Sequence, residues 1–390
     1  MFIELHMLQN FAPSNLNRDD TGSPKDCEFG GVRRARISSQ CLKRATRESF
    51  KQDKLLPPER LAERTKLAVN AVASRLVRLG HAEPESRAVA ELAFRGAGLD
   101  VNEGKTEYLL FLGAGEMEAI ADLCHQRWSD LSSIVLTGDP GATGKARKQA
   151  GKEALPKEVT TALQERLNGG KAADVALFGR MLADLPSLNI EAASQVAHAI
   201  STHKVSIEFD FYTAVDDLQS AAETGAGMMG TVEFNSACFY RYANVDLEQL
   251  RRNLGGDHDL AERTVEAYLR ASIHAIPTGK QNSMAAQNLP SFVMVVARDK
   301  GLWSLANAFA KPVRASEQED LITGSIRRLD EQWGKMTRMY GVEGIRGVRV
   351  AQEDGVSLSH VSAAPLGQQL PSINELVRSV KQLISVGVAV

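Results

Sequence analysis

The sequence predicts an α+β fold, because segments with the pattern of β-strands lie on both sides of a long stretch with the pattern of helices. Residues 2–8, 205–215 and 231–245 largely alternate and are rich in apolar, β-branched or aromatic residues, as strands are. Residues 55–130 carry apolar residues at steps of three and four, which is typical of amphipathic helices. An antiparallel, ferredoxin-like sheet with a large insertion fits this order, although periodicity alone does not single out that fold.

Local signals set the limits of the first elements. The segment 11–31 is rich in Pro, Asn, Asp and Gly and predicts a long ordered loop after the first strand. Ser38 or Ser39 can cap a following helix, because a serine hydroxyl at a helix start accepts a hydrogen bond from a free backbone N–H. Within the helical stretch one helix ends at Gly80, and the other predicted elements are helices at 84–96 and 116–128 and a strand at 107–113.

A projecting β-hairpin is predicted in the second half of the chain. The strands at 205–215 and 231–245 are joined by DDLQSAAETGAGMMG, which is too long for a tight turn. The Gly- and Lys-rich segment 137–153 predicts another loop. The remaining predicted elements are helices at 246–254, 259–275 and 317–340 and a short central strand at 291–297.

Composition narrows the class of protein. The 390 residues carry a net charge of -2, so a nucleic-acid surface would require local clustering of positive charge. The four cysteines form no CxxC pair, which argues against a zinc site. The first residues do not resemble a signal peptide, and no run of about 18 apolar residues occurs. We therefore expect a cytoplasmic protein with reduced thiols and no membrane span.

The strongest candidate site is the basic segment GVRRARISSQCLKRATR (31–47). Arg34 and Arg36 share one face of an extended segment, and Lys43 and Arg47 share one face of the following helix. The serines lie at the helix start, where free N–H groups attract anions. Charge alone fits a solvated basic helix equally well, but charge combined with these donors predicts phosphate binding. The segment has no acidic residue and six basic ones: Arg33, Arg34, Arg36, Lys43, Arg44 and Arg47.

Other motifs fit catalysis poorly. The adjacent acids Asp19–Asp20 and Asp216–Asp217 have the chemistry to hold magnesium, but such pairs in loops usually bond backbone amides. GDPGATGKA (138–146) lacks a glycine and a Ser or Thr that a phosphate loop requires. His198 and His203 are five residues apart, which places them on different faces of a helix and argues against a metal pair.

Three apolar residues have two interpretations each. Phe211 and Tyr212 stand at the foot of the hairpin, where an exposed ring can stack on nucleic-acid bases. Neighbouring strand residues face opposite sides, so the alternative interpretation is that at least one of the two lies in the core. Met181, in LFGRMLADLP, is on this pattern alone more typical of a core residue than of a wedge.

Longer motifs resemble one family. SNLNRDDTGSPKDCEFGGVRRARISSQCLKRA (14–45) is similar to the N-terminal signature of the CasC family, the backbone subunit of the type I-E CRISPR Cascade complex. FGRM, AHAISTHKV, FYTAVDDLQ, GTVEFNSACFYRYANV and LANAFAKPV also resemble that family and follow in the expected order. The resemblance is strong over 2–50 and 176–255, patchier over 290–341 and weak elsewhere.

The resemblance implies a hand-shaped protein. An RRM-like palm would comprise 1–55 and 176–390, a mainly helical insertion at 56–175 would form fingers, and the hairpin at 205–245 would form a thumb. Copies are implied to stack head to tail along a guide RNA (crRNA), each thumb folding over the RNA at its neighbour and flipping out one base. The other bases pair with target DNA, which leaves sequence recognition to the RNA. Other Cascade subunits complete this antiviral ribonucleoprotein, with no cofactor.

Matching positions imply which residues bind RNA. In the loop they are Asn17, Arg18 and Lys25, and at the helix start they are Ser38, Gln40, Lys43 and Arg44. Met181 matches the position at the kinked nucleotide, and Phe211 and Tyr212 match the thumb aromatics, where the family pattern has Phe in place of Tyr212. The basic segment adds Arg34 and Arg47. A basic residue often precedes the arginine pair in the family, and here that position is Val32.

Two alternatives stay open at this point. Related backbone subunits of other CRISPR types cut RNA with an acidic residue of the N-terminal loop, whereas the CasC family does not cut. Asp19, Asp20 and Asp26 occupy that region, so one alternative is a metal-dependent ribonuclease on the same scaffold. The other is a solitary RNA-binding domain with a single fixed site size.

Overall fold

A computed structural model of the chain describes residues 1–137, 154–168, 172–182, 185–214, 228–353, 355–363 and 365–386. It divides into two compact units. The first comprises Met1–Leu55, Ser194–Leu247 and Val265–Val390, and the second comprises Leu56–Ala193 and Glu248–Thr264. The insertion was predicted to end at 175; the second unit instead continues to Ala193 and includes the later segment Glu248–Thr264.

Strands supply the frame of the first unit and two small pairings in the second. In chain order they are β1 Phe2–Ser14, β2 Asp26–Phe29, β3 Val32–Ile37, β4 Ala62–Thr65, β5 Val101–Asn102, β6 Lys105–Thr106, β7 Leu110–Gly113, β8 Ser194–Val196, β9 Ala199–Ser201, β10 Glu208–Ala214, β11 Met228–Asp246, β12 Phe292–Arg298, β13 Ile345–Gln352 and β14 Gly367–Gln369. The large sheet has the order β14-β13-β12-β1-β11-β9-β3-β2, and β8 and β10 also pair with β11. Its pairings are antiparallel except for β13 with β14.

Helices cover the sheet and build the second unit. They are α1 Ser39–Gln52, α2 Ala68–Arg78, α3 Glu83–Gly96, α4 Ala114–Gln126, α5 Trp128–Thr137, α6 Lys157–Asn168, α7 Ala173–Phe178, α8 Leu247–Asn253, α9 His258–His274, α10 Gln281–Met284, α11 Leu321–Tyr340 and α12 Ile373–Val386. Short 3-10 turns lie at Pro58–Arg60, Pro186–Leu188 and Ala306–Phe309. The α+β class is thereby confirmed. No helix in the described residues is long and apolar enough to cross a membrane.

The central strand β1 is longer and more buried than its sequence pattern predicts. It pairs with β11 from Phe2↔Asp246 to Phe11↔Ala237 and with β12 on its other side. Its polar residues are buried too, because they find partners inside the fold. Glu4 pairs with Arg298 at 2.7 Å, and His6 Nδ1 lies 2.9 Å from the Tyr240 hydroxyl.

Separate apolar clusters hold each unit together. In the first unit, one cluster includes Leu8, Met294, Leu329 and Trp333, and another gathers residues of β1, β3, α1 and β11, among them Phe11, Ile37, Leu42 and Phe239. The second unit has its own core, which includes Val72, Leu76, Phe94, Ile120 and Leu163. Side chains from distant segments of the chain meet in these clusters. Each unit therefore has an apolar core of its own.

The predicted hairpin is formed by β10 and the first part of β11. Their register runs from Glu208↔Phe234 to Ala214↔Met228. All residues from Glu208 to Thr213 are exposed, so this stem stands away from the core. The connecting residues 215–227, which include Asp216–Asp217, lie outside the described residues, as do residues 138–153 of the predicted Gly/Lys loop.

Candidate nucleic-acid interface

The start of α1 is joined to the N-terminal loop by two hydrogen bonds. The Ser38 hydroxyl accepts from the backbone N–H of Cys41 at 3.3 Å, so Ser38, not Ser39, caps the helix. The backbone N–H of Ser38 donates to Oδ1 of Asn17 at 2.8 Å. The loop is therefore fixed at the positive end of the helix dipole, where anions are stabilised.

Backbone hydrogen bonds hold the rest of the loop in place. The N–H of Lys25 donates to the carbonyl of Asn17 at 2.9 Å, and the N–H of Arg36 donates to the carbonyl of Lys25 at 2.9 Å. At the tip, the Asp19 carboxylate accepts from the Thr21 hydroxyl at 2.8 Å and from the backbone N–H groups of Thr21 and Ser23. These bonds, the one from the Thr21 hydroxyl above all, lower the pKa of Asp19.

Three basic side chains and one histidine, from four segments, converge beside this loop. Arg36 Nη1 donates to Nδ1 of His198 at 3.1 Å. Partial burial lowers the pKa of His198, and the charges of Arg36 and Lys25 lower it further. Burial raises the pKa of Cys41, against the opposing effect of Lys25 and Arg44. Lys25, Arg36 and Arg44 thus lie in one electrostatic neighbourhood around the neutral His198 ring, and gathering these three cations favours an anionic ligand.

The exposed face of α1 continues this cluster. Gln40 and Arg44 are exposed, and Lys43 and Arg47 are half-buried. Burial lowers the pKa of Lys43, and the Arg47 charge one turn away lowers it further. Arg18 is exposed in the loop. Of the predicted RNA-binding residues, the structure therefore brings together Asn17, Arg18, Lys25, Ser38, Gln40, Lys43, Arg44 and Arg47.

The prediction that Arg34 binds phosphate is wrong. Its exposed fraction is 0%, so its guanidinium does not reach a ligand on the surface. Nε donates to the carbonyl of Phe29 at 3.1 Å, Nη1 to that of Ser201 at 3.1 Å, and Nη2 to that of Phe309 at 2.7 Å. The sequence does not show that the 3-10 turn Ala306–Phe309 lies against this face of β3. For that reason the sequence pattern wrongly indicated that Arg34 binds phosphate. Arg34 stabilises the fold instead.

The hairpin exposes more aromatic surface than predicted. Phe211 and Tyr212 are 60% and 42% exposed, so the interpretation that one of them lies in the core is wrong. Phe209 is 69% exposed and shares the face of Phe211, since alternate strand residues point the same way. Met229, opposite Thr213, is on the same face and 64% exposed. Phe209 was not among the predicted residues, although its two-residue spacing from Phe211 was a usable signal.

Tyr212 lies on the other face of the hairpin, above Gly230. A Cβ atom added at Gly230 would lie 2.5 Å from the Tyr212 hydroxyl oxygen, so a larger residue here would require the ring to move. The two residues are directly paired across the strands. The ring therefore covers the backbone of its own hairpin while 42% of the residue stays exposed.

Met181 is displayed on the surface of the second unit. It is 85% exposed, which overturns the expectation of a core residue. The residue before it, Arg180, is anchored by a buried ion pair with Glu116 at 2.8 Å. The residue after it, Leu182, donates its N–H to Oδ1 of Asn189 at 2.6 Å. An apolar side chain held out by anchored neighbours is available for contact with another molecule.

The described residues hold no group of three or more His, Cys, Asp or Glu side chains that fits a metal ion. Two of the three loop aspartates are engaged elsewhere: Asp19 in the loop tip and Asp26 with Arg33.

A comparison with known proteins shows to which family this chain belongs. The family of CT1975-like proteins matches residues 3–379. This chain belongs to that family. The match covers nearly the whole chain, and it confirms the resemblance to the CasC family. Among curated proteins, no match to the chain was found.

Solved structures show the same fold at full length. A chain described as "CRISPR RNA-guided surveillance complex, pre-nicking" is 29% identical, with 98% of this chain and 99% of that chain covered and a TM-score of 0.82. A chain of another "CRISPR RNA-guided surveillance complex" is 24% identical, with the same coverage and a TM-score of 0.73, and shows likeness of fold alone. The fold of this family member is thus similar to that of these chains over nearly their whole length.

Proposed function

We propose that this chain is a backbone subunit of a type I-E Cascade complex that binds guide RNA and does not cut it. The observation that carries the proposal is the convergence of Lys25, Arg36, Arg44 and His198 at the capped start of α1. Cations and backbone N–H groups in this arrangement bind the phosphates of RNA rather than the edges of its bases. Full-length similarity to a chain of an RNA-guided surveillance complex supports the same conclusion.

In this proposal the large sheet acts as an RRM-like palm, and the second unit acts as fingers. Phosphates of the guide RNA lie along the loop and α1, so binding does not depend on RNA sequence. Met181, Phe211 and Tyr212 contact the nucleotide at each kink, since exposed aromatic and apolar side chains pack well against unstacked bases. The remaining bases pair with target DNA, copies of the chain stack head to tail, and the other Cascade subunits complete the particle in the cytoplasm.

The test is size-exclusion chromatography with single-stranded RNAs of increasing length in magnesium, followed by a denaturing gel of the recovered RNA. We expect the particle mass to rise in steps with RNA length and the RNA to stay intact. RNA cut at regular spacing would instead establish the ribonuclease alternative, in which case Asp19→Ala or Asp26→Ala would stop cleavage. A single mass at every RNA length would establish the solitary RNA-binding domain.

A double variant tests the phosphate assignment. Lys43→Ala with Arg44→Ala should weaken binding to all RNA sequences alike and reduce the slope of log affinity against log salt by about 1 to 2, because a chain with fewer cations at the phosphates releases fewer counterions on binding. Fluorescence anisotropy at several salt concentrations measures both effects. A changed sequence preference with an unchanged slope would contradict phosphate binding at these residues.

A further inference from the structure

Two histidine side chains of the second unit meet at its surface. Nε2 of His81 lies 2.8 Å from Nδ1 of His125, and the centroids of the two rings are 5.0 Å apart. Two ring nitrogens at this distance share a hydrogen bond, in which one donates and the other accepts. An imidazole nitrogen that accepts a hydrogen bond presents a lone pair, and the same lone pair can bind a metal ion.

The two histidines come from separate elements that the fold brings together. His81 lies in the turn between α2 and α3, and its backbone N–H donates to the carbonyl of Leu76 at 3.2 Å. His125 lies in the last turn of α4. Leu76 and Cys124, the residue before His125, are both buried in the core of the second unit. Packing in this core therefore fixes the backbone segments that carry the two rings.

A tryptophan holds the His81 ring in place. The ring stacks on that of Trp128, the first residue of α5, with centroids 3.5 Å apart and planes 13° apart. Trp128 is itself half-buried and packs against the core of the second unit. His125 is exposed, so its ring can turn while the His81 ring stays on the indole. One candidate ligand is thus preorganised, and the other can adjust to an ion.

The charges around the pair suit a cation. Partial burial lowers the pKa of His81, the neighbouring His125 lowers it further, and Glu85 acts in the opposite direction. The His81 ring is therefore neutral at neutral pH and keeps a lone pair, and Glu85 places negative charge near it. Arg127, two residues after His125, lies 3.7 Å from the carboxylate of Asp130, which offsets part of its positive charge.

We propose that Nε2 of His81 and Nδ1 of His125 together bind one divalent transition-metal ion. Histidine nitrogens lie about 2.0–2.1 Å from an ion of this class, so two such bonds at a right angle place the nitrogens about 2.9 Å apart, and two at the tetrahedral angle place them about 3.4 Å apart. The observed 2.8 Å is close to the right-angle value. Square-planar coordination is typical of Cu(II) and Ni(II), so these ions fit the pair better than Zn(II) does.

Binding replaces the hydrogen bond between the rings with two coordination bonds. The ring that donates the hydrogen bond moves its proton, through water, to the other nitrogen of the same ring, so both rings stay neutral and no net proton is released. The described residues hold no group of three or more His, Cys, Asp or Glu side chains that fits a metal ion, so water completes the coordination. Such an ion joins the turn after α2 to the end of α4 and stabilises the folded second unit.

The test is isothermal titration calorimetry of the full-length chain, without RNA or a histidine tag, with nickel chloride in a buffer that does not chelate metals. The variant His125→Gln removes one ligand at an exposed position, and glutamine can still hydrogen-bond to His81. We expect this variant to bind nickel at least about tenfold more weakly, which corresponds to about 1.4 kcal/mol. The matched control is His274→Gln, at the exposed end of α9, which should bind nickel like the unaltered chain.

Two further measurements distinguish this site from nickel bound elsewhere on the chain. Saturating nickel should raise the midpoint of thermal unfolding by at least about 2 °C in the unaltered chain and in His274→Gln, but not in His125→Gln. Magnesium, which prefers oxygen ligands, should leave the midpoint unchanged. The electron paramagnetic resonance spectrum of bound Cu(II) should show two nitrogen ligands in the unaltered chain and fewer in His125→Gln. Absence of nickel binding, equal affinity in His125→Gln, an equal midpoint rise with magnesium, or a copper spectrum that this variant leaves unchanged would each overturn the proposal.

Discussion

Oδ1 of Asn17 accepts a hydrogen bond from the backbone N–H of Ser38 at 2.8 Å, and this bond joins the N-terminal loop to the start of α1. Together with the backbone bonds that join Lys25 to Asn17 and Arg36, it fixes Lys25 on the loop relative to Arg44 on the helix. Both charges act on the Cys41 thiol and oppose the effect of its burial, which raises its pKa. Asn17 therefore helps to position the charges of Lys25 and Arg44, whether or not its own side chain contacts RNA.

Two substitutions at Asn17 separate positioning from direct contact. Asn17→Ala removes the acceptor and should lower the free energy of unfolding by about 1 kcal/mol and weaken RNA binding. Asn17→Asp keeps an acceptor for the Ser38 N–H, so stability should be retained while the added negative charge weakens RNA binding. Denaturant unfolding and RNA titration on the same samples measure both quantities. Equal stability of the Ala variant and the unaltered chain would show that this bond does not hold the loop.

Arg34 should behave as a structural residue. Arg34→Ala removes a donor from two buried carbonyl groups, of Ser201 and Phe309, and from the partly buried carbonyl of Phe29, so we expect a loss of roughly 3 kcal/mol or more in the free energy of unfolding. Arg34→Lys should recover little of it, because an ammonium group lacks the planar fork of donors. Arg44→Ala is the surface control and should lower RNA affinity at nearly constant stability. A stable Arg34→Ala variant with weak RNA binding would restore the phosphate role.

His6 should make the protein sensitive to acid. His6 Nδ1 lies 2.9 Å from the Tyr240 hydroxyl, a hydrogen bond that the neutral ring can make, and the Tyr240 oxygen also accepts from the N–H of Leu305. Burial lowers the pKa of His6 to about 3, below its ordinary value of 6.5. At pH values between these two, His6 binds a proton in the unfolded chain but not in the folded chain. The contribution of His6 to the free energy of unfolding therefore falls by about 1.4 kcal/mol for each unit by which the pH falls.

The variant His6→Gln should flatten that dependence, since glutamine accepts from the Tyr240 hydroxyl and does not titrate. Chemical unfolding from pH 6.5 to 4 compares the two slopes. Other histidines whose pKa is lowered, among them His198 and His203, remain in the variant and keep part of the slope. Identical slopes in both chains would mean that His6 takes up its proton in the folded state.

Met181 should matter for bound RNA and not for stability. Because it is 85% exposed, Met181→Ala should change the free energy of unfolding by less than about 0.5 kcal/mol. Guide RNA with 2-aminopurine at the flipped positions should lose part of its fluorescence increase on binding the variant. The matched control is Leu182→Ala, which removes a residue only 9% exposed and should cost about 2 kcal/mol or more. Unchanged fluorescence with Met181→Ala would remove Met181 from the kink.

Patterns within short segments were enough to predict some of the strands, several helices and the hairpin, but not β13, β14 or the strand β2 within the predicted loop 11–31. Alternation located β10 and β11, and the serine start located α1, because strand pairing and helix capping depend on neighbouring residues. The basic segment and the family resemblance likewise placed most of the candidate interface. Local sequence could not show which face of each element would be covered.

By itself, then, the sequence determined the α+β class, the position of the hairpin and the family. Only the tertiary structure decided that Arg34 is buried, that Met181, Phe209, Phe211 and Tyr212 are exposed, and that His198 joins Arg36 in the basic cluster. The reason is physical: exposure and electrostatic environment depend on segments far apart in the chain, such as the turn Ala306–Phe309 that covers β3, and these meet only after folding.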